Sequence, residues 1–247
     1  MYNRDCTKIT LGVLDYLQKL GYKKEYIENK IRLIEIFIVN DIKENVEEKN
    51  KEDVIEIALS NKKYSYSKIL LKKENDEYYI YRAKIFIYNR LNSKQFRQVV
   101  IYEILRLIST KLTNKTKGKQ FLNVGIERKY CIESDINIIK KLKEVEIKNI
   151  NEGILTYITY IIYQKLYQGK ADTKIMQYDI YSKFIEKIIL QKESQEDIID
   201  IYLKNEYYKF FIDLDKNYNK VKSIGKEIYT TKIGTIFAKY KLYTMKL

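Results

Sequence analysis

The chain has 247 residues, a formal net charge of +14 and 25 tyrosines, but no histidine, proline or tryptophan. The length is enough to bury a real core. A chain without imidazole lacks the commonest general base and the commonest metal ligand, which excludes Ser-His-Asp and Cys-His catalysis and any histidine-ligated zinc site.

Cys6 and Cys131 are the only cysteines, too few for a disulfide framework or a thiolate zinc site. Average usage would give about a dozen prolines. Lys, Ile, Asn and Tyr have A/T-rich codons, so the skew reads as a bias of the gene and weakens any argument from Tyr or Lys content. The positive charge would attract nucleic acid or anionic membrane, but basic residues alternate with acids, as in "KKLKEVEIK", and no nucleic-acid motif is present. No apolar run reaches the 18 or so residues of a membrane span. The opening "MYNRDCTKITLGVLDYL" lacks the apolar segment and cleavage site of a signal peptide. A cytoplasmic protein with reduced thiols is expected.

In chain order, Ile9, Val13, Leu14, Leu17 and Leu20 have helical spacing, closed by Gly21. Residues 24–48 are expected to form a second helix, with Ile27, Ile31, Ile34, Ile38 and Ile42 on one stripe, so that 1–50 is an N-terminal helical segment. "DVIEIALS" (53–60) fits a short strand or a helical turn. "EYYIYRAKIFIYN" (77–89) is the best strand, long or the edge of a hairpin. A helix over 94–112 follows, capped by Asn92 or Ser93, then a basic loop 113–120. "FLNVGIERKY" suggests a short strand pair. Helices are expected over 134–146, 149–168, 178–192 and 195–211, with 170–247 a C-terminal helical segment and its tail ambiguous. With no Pro- or Ser-rich linker and no repeat, the expectation is one domain, 1–247. Its fold class is α+β, mostly helical with a small sheet.

The helix 94–112 carries the most information. Its apolar positions cover most of the circumference and predict deep burial, leaving a narrow polar stripe of Gln98, Tyr102 and Arg106 at four-residue steps with Glu103 beside it. The plain interpretation is a structural Glu103–Arg106 ion pair on a half-exposed helix edge. The same spacing belongs to H-E-x-x-H, which binds zinc through two histidines at i and i+4 and uses the intervening Glu as general base. Here the five residues are "YEILR", with Glu103 at the general-base position and Tyr102 and Arg106 at the ligand positions.

A second stretch, "INEGILTYIT" (150–159), resembles the "N-E-G" helix of gluzincins, zinc peptidases whose third ligand is a glutamate on a following helix. It also looks like the "NEGLTEY" variant of small bacterial gluzincin-like proteins. Asn151, Glu152, Gly153 and Tyr157 match, while Leu155 and Thr156 depart where those relatives often carry Thr and Glu. The order strand, "YEILR" helix, "NEG" helix also agrees, so the resemblance covers a core over 77–168. It implies a peptidase-like fold in which Tyr102, Arg106 and Glu152 occupy vestigial ligand positions and Glu103 is a vestigial general base. It also implies that an edge strand beside the helix could hold a peptide.

The resemblance argues against activity. Neutral Tyr is a poor zinc ligand, and a protonated guanidinium cannot coordinate a cation. The chain is expected to be a pseudopeptidase with no catalytic residue, no metal and no cofactor, in a binding or regulatory role toward a peptide or protein. Without the metal, Glu103 and Glu152 would face each other uncompensated. Arg106 is expected to bridge to Glu152, with Glu103 near and the Tyr102 hydroxyl on a carboxylate. An Arg between the carboxylates also spoils them as a glycosidase-like acid and base pair. The alternative is a basic nucleic-acid-associated protein whose resemblance is incidental.

Overall fold

The computed structural model describes residues 2–40, 54–61, 63–133, 138–141, 145–175, 178, 181, 182, 185, 186 and 195–206. These form an α+β arrangement whose strands make two four-stranded sheets, a larger strand content than the single small sheet expected.

Helix α1 (Tyr2–Lys19) buries Cys6, Ile9, Val13, Leu14 and Leu17 along one stripe. The next helix, α2 (Lys24–Ile31), is short, and strand β1 (Ile34–Val39) replaces the rest of the helix expected over 24–48. Ile34 and Ile38 satisfy a four-residue and a two-residue period equally well. The β-branched "IEIFIV" resolves the tie toward a strand, with Ile34, Ile36 and Ile38 packed on the core and Phe37 turned outward. The first 50 residues are thus not wholly helical, and residues 41–50 lie outside the described ones.

The first sheet has the order β1-β4-β3-β2, with β2 at Ile55–Asn61, β3 at Ser65–Glu74 and β4 at Glu77–Tyr88. The ambiguous 53–60 stretch is therefore a strand from Ile55. Asn75 and Asp76 take positive φ (48° and 65°) in the two-residue turn joining β3 to β4, the geometry such hairpins require. Strand β4 is interior to the sheet, not its edge: β1 lies parallel on one side and β3 antiparallel on the other. Pairing with β1 begins only at Ala83, however. Nearer the start of β4, the Gln120 side chain takes a strand's place, accepting from Tyr78 N at 2.7 Å and donating to Tyr78 O at 3.2 Å.

Helix α3 (Ser93–Ile108) opens with a capping box, in which Asn92 Oδ1 accepts from Gln95 N at 2.9 Å. It ends four residues before the expected Leu112. The hydroxyls of Ser109 and Thr110 both donate to Arg106 O at 2.8 Å, competing with further helix, and β5 (Thr110–Leu112) begins at once. The second sheet is an antiparallel meander of β5, β6 (Lys119–Val124), β7 (Glu127–Glu133) and β8 (Ile138–Lys141). The anticipated strand pair is thus β6–β7, and the basic loop ends at Gly118, since Lys119 and Gln120 open β6. The helix expected over 134–146 is corrected. Residues 138–141 pair with β7 as a strand, α4 (Val145–Tyr167) begins at Val145, and 134–137 and 142–144 lie outside the described residues. Helix α5 (Gln195–Leu203) lies where a helix was expected. Most of the 178–192 helix and everything after Glu206 fall outside the described residues.

Twelve residues of α3 are buried. One face of α3 meets the inner side of the first sheet, where Ile69, Leu71, Ile85 and Ile87 point inward, and the others meet α1 and α4. Each such Ile or Leu contributes about 1.5–3 kcal/mol, and one buried apolar cluster runs from Cys6 to Leu203. Any polar group on α3 must therefore find its partner inside the protein. No helix among the described residues is long and apolar enough to cross a membrane.

Candidate functional site

The polar stripe of α3 ends in a closed charge cluster at the centre of the core. Arg106 is fully buried and grips Glu152 of α4 with both terminal nitrogens, Nη1 to Oε1 at 2.7 Å and Nη2 to Oε2 at 2.8 Å. This is the planar two-point geometry that favours Arg over Lys. The Tyr102 hydroxyl donates to Glu152 Oε2 in a short hydrogen bond, and the guanidinium lies 5.0 Å from the centre of the Tyr102 ring. Glu103 is also fully buried and accepts from Ser65 Oγ at 2.6 Å and Ser67 Oγ at 2.8 Å. Arg106 Nε is 3.3 Å from Glu103 Oε2 but makes no hydrogen bond, so that contact is Coulombic. The expected ion pair on a half-exposed edge is therefore corrected: neither partner reaches water, because sheet, α1 and α4 enclose α3 on every side.

Burial would push the Arg106 guanidinium down, but Glu152, then Tyr102 and Glu103, raise it well above its ordinary value. Desolvation, then Glu152, holds the Tyr102 phenol far above the usual range. It therefore stays a neutral donor. Two further charges on β7 sit close by. Burial raises the Glu127 carboxyl, partly offset by Lys129. Burial and then Arg106 push the Lys129 ammonium down to about 8, and its Nζ donates to Leu59 O.

The motif neighbours have packing roles. Asn151 Oδ1 accepts from Ile126 N at 2.9 Å and holds the β6–β7 turn against α4. A Cβ on Gly153 would lie 2.5 Å from Tyr181 Cβ and 3.0 Å from Tyr181 C, so glycine there lets a neighbouring segment approach α4. Tyr157 is not part of the cluster. Its electrostatic neighbours are Glu186 and Gln195, and burial raises its phenol to about 12.

Gly125 shows how tightly this region is built. Its φ is +59°, and an added Cβ would lie 2.2 Å from the Tyr202 ring and 2.3 Å from Asn151 Oδ1. Its amide donates to Ser109 Oγ at 3.1 Å, and Asn205 Nδ2 donates to its carbonyl. Gly125→Ala is expected to cost about 3 kcal/mol or more, from the left-handed backbone and the overpacked ring. The urea midpoint measures it, and an unchanged midpoint would show that the turn can relax.

The sequence assembled Tyr102, Glu103, Arg106 and Glu152 correctly, with Asn151 and Gly153 beside them. It missed Ser65 and Ser67, although a signal existed: "SYS" puts two hydroxyls on the inward face of a strand that continues as Ile69 and Leu71. Gln98, on the same stripe as Arg106, finds its partner outside the cluster, accepting from Asp172 N at 2.9 Å and donating to Asp172 O at 3.4 Å.

These residues do not fit a zinc ion. The cation position between Glu103 and Glu152 holds a guanidinium, and the two oxygens of Glu152 are engaged by it and by Tyr102. Among the described residues no group of three or more His, Cys, Asp or Glu could hold a metal. The cluster is arranged to lock two helices and a strand together, with no donor or acceptor presented to solvent.

A surface cleft of about 380 Å³ lies elsewhere, between α2, the start of β4 and the end of β5. Tyr26, Tyr78 and Tyr79 line it together with Lys30 and Lys111.

No protein-family model, curated protein or solved structure matches the chain.

Proposed function

We propose that this protein is a catalytically inactive relative of gluzincin peptidases in which a buried arginine has replaced the metal, and that it serves by binding. The supporting observation is the two-point Arg106–Glu152 grip, completed by the Tyr102 hydroxyl. All three residues stand at the positions that the motif resemblance assigns to metal ligands. A guanidinium there supplies the positive charge a metal would supply, but offers no open coordination position and no activated water.

The tyrosine-lined cleft beside the start of β4 supports a binding role. The nucleic-acid alternative gains less. On the outer face of the first sheet, Lys68 and Lys84 lie over the Phe86 and Phe37 rings, a pairing that could bind single strands if open. Yet Lys68, Lys84 and Phe86 are all buried, and Lys68 is paired with Glu56.

The test is assay of the purified chain against unfolded casein with and without added zinc. No hydrolysis above buffer is expected in either condition. Zinc-dependent cleavage that copurifies with the chain and is lost in Glu103→Gln would sink the proposal.

A further inference from the structure

The cleft between α2, β4 and β5 carries a charge arrangement that the buried cluster does not explain. Lys30 is largely buried, yet its ammonium rests on a neutral partner, donating to Thr110 O at 2.5 Å. Lys111 stands on the same wall, and among the described residues neither lysine is in an ion pair. Glu77 also lines the cleft, so the local balance is two cations to one anion. Burial and then the nearby Lys111 lower the Lys30 ammonium to about 8, the sign of a desolvated positive charge short of a counter-charge. Among the described residues, two of the four exposed large hydrophobic side chains, Tyr26 (43%) and Tyr79 (41%), line this same cleft. Exposed rings around a cationic recess present flat apolar surface beside an anion site, and the volume is within the range of small-molecule pockets.

We infer that this cleft binds a small organic anion, a phosphate or carboxylate carried on a planar ring, with Lys30 and Lys111 on the anion and Tyr26 and Tyr79 against the ring. The inference rests on the binding role proposed above but not on peptidase ancestry, which the zinc measurements test separately.

The experiment is calorimetric titration of the full chain at low salt with phenyl phosphate, beside inorganic phosphate and phenol. Phenyl phosphate is expected to bind at one site more tightly than either fragment. Lys111→Gln, at an exposed position, should weaken it by about tenfold, the size of one lost charge-assisted contact. Lys30→Met, checked for folding by circular dichroism, should weaken it at least as much. Absence of saturable binding, unchanged affinity in Lys111→Gln, or inorganic phosphate binding as tightly as phenyl phosphate would each overturn the inference.

Discussion

Arg106→Met is expected to lower the unfolding free energy by about 3–5 kcal/mol, the cost of breaking a buried ion pair by removing one partner. The loss is large because one guanidinium serves two carboxylates. Without it, Glu152 keeps the Tyr102 hydroxyl and Glu103 keeps Ser65 and Ser67, but no cation remains between them in a site with no exposure to water. The figure is the penalty of stranding charge, not the worth of the contact. A double variant, Arg106→Met with Glu152→Met, should therefore be less destabilised than Arg106→Met alone, since it removes one stranded carboxylate. Urea unfolding of the parent, the single variants and the double variant measures this. A loss below about 1 kcal/mol for Arg106→Met would mean that the cluster is not the clamp between α3 and α4.

The cluster was legible because helix periodicity is strict. Tyr102 and Arg106, four residues apart on an otherwise apolar helix, must share a face, and burial leaves such a face no choice but an internal partner. Glu152 was found through a short motif rather than through periodicity. Ser65 and Ser67 were missed because their role depends on which strand face meets α3, a tertiary fact.

The fold was legible where one period dominated. Helices α1, α3 and α4 and strand β4 were found, although α1 and α4 begin several residues before the expected 7 and 149 and α3 ends before the expected 112. It failed where two periods fit the same residues, as in "IEIFIV", and where strand pairing overrode a helical pattern, as at 138–141. The interior position of β4 was also hidden, because its parallel neighbour β1 lay inside a stretch read as helix. That error removes a full-length peptide-binding edge at β4, and near its start the Gln120 side chain already occupies the Tyr78 backbone groups.

Restoring a metal site is the second large effect. In the double variant Tyr102→His, Arg106→His, two imidazoles would stand at i and i+4 opposite Glu152, and both are shorter than the side chains they replace. The space vacated by the guanidinium is then open to an ion that both carboxylates favour. Without metal the variant should be less stable than the parent, for the reason given for Arg106→Met. Zinc should reverse that loss, because binding to the folded state alone adds directly to stability.

The most direct measurement is zinc content and affinity of the native chain beside this double variant, read by dialysis with metal analysis and by the shift in melting temperature on adding zinc. The native chain should retain no zinc and show no shift. The double variant should take up one zinc per chain and regain stability with it, and should lose both effects when Glu152→Ala is added. A double variant that folds but takes up no zinc would contradict the claim that Arg106 occupies a metal's place.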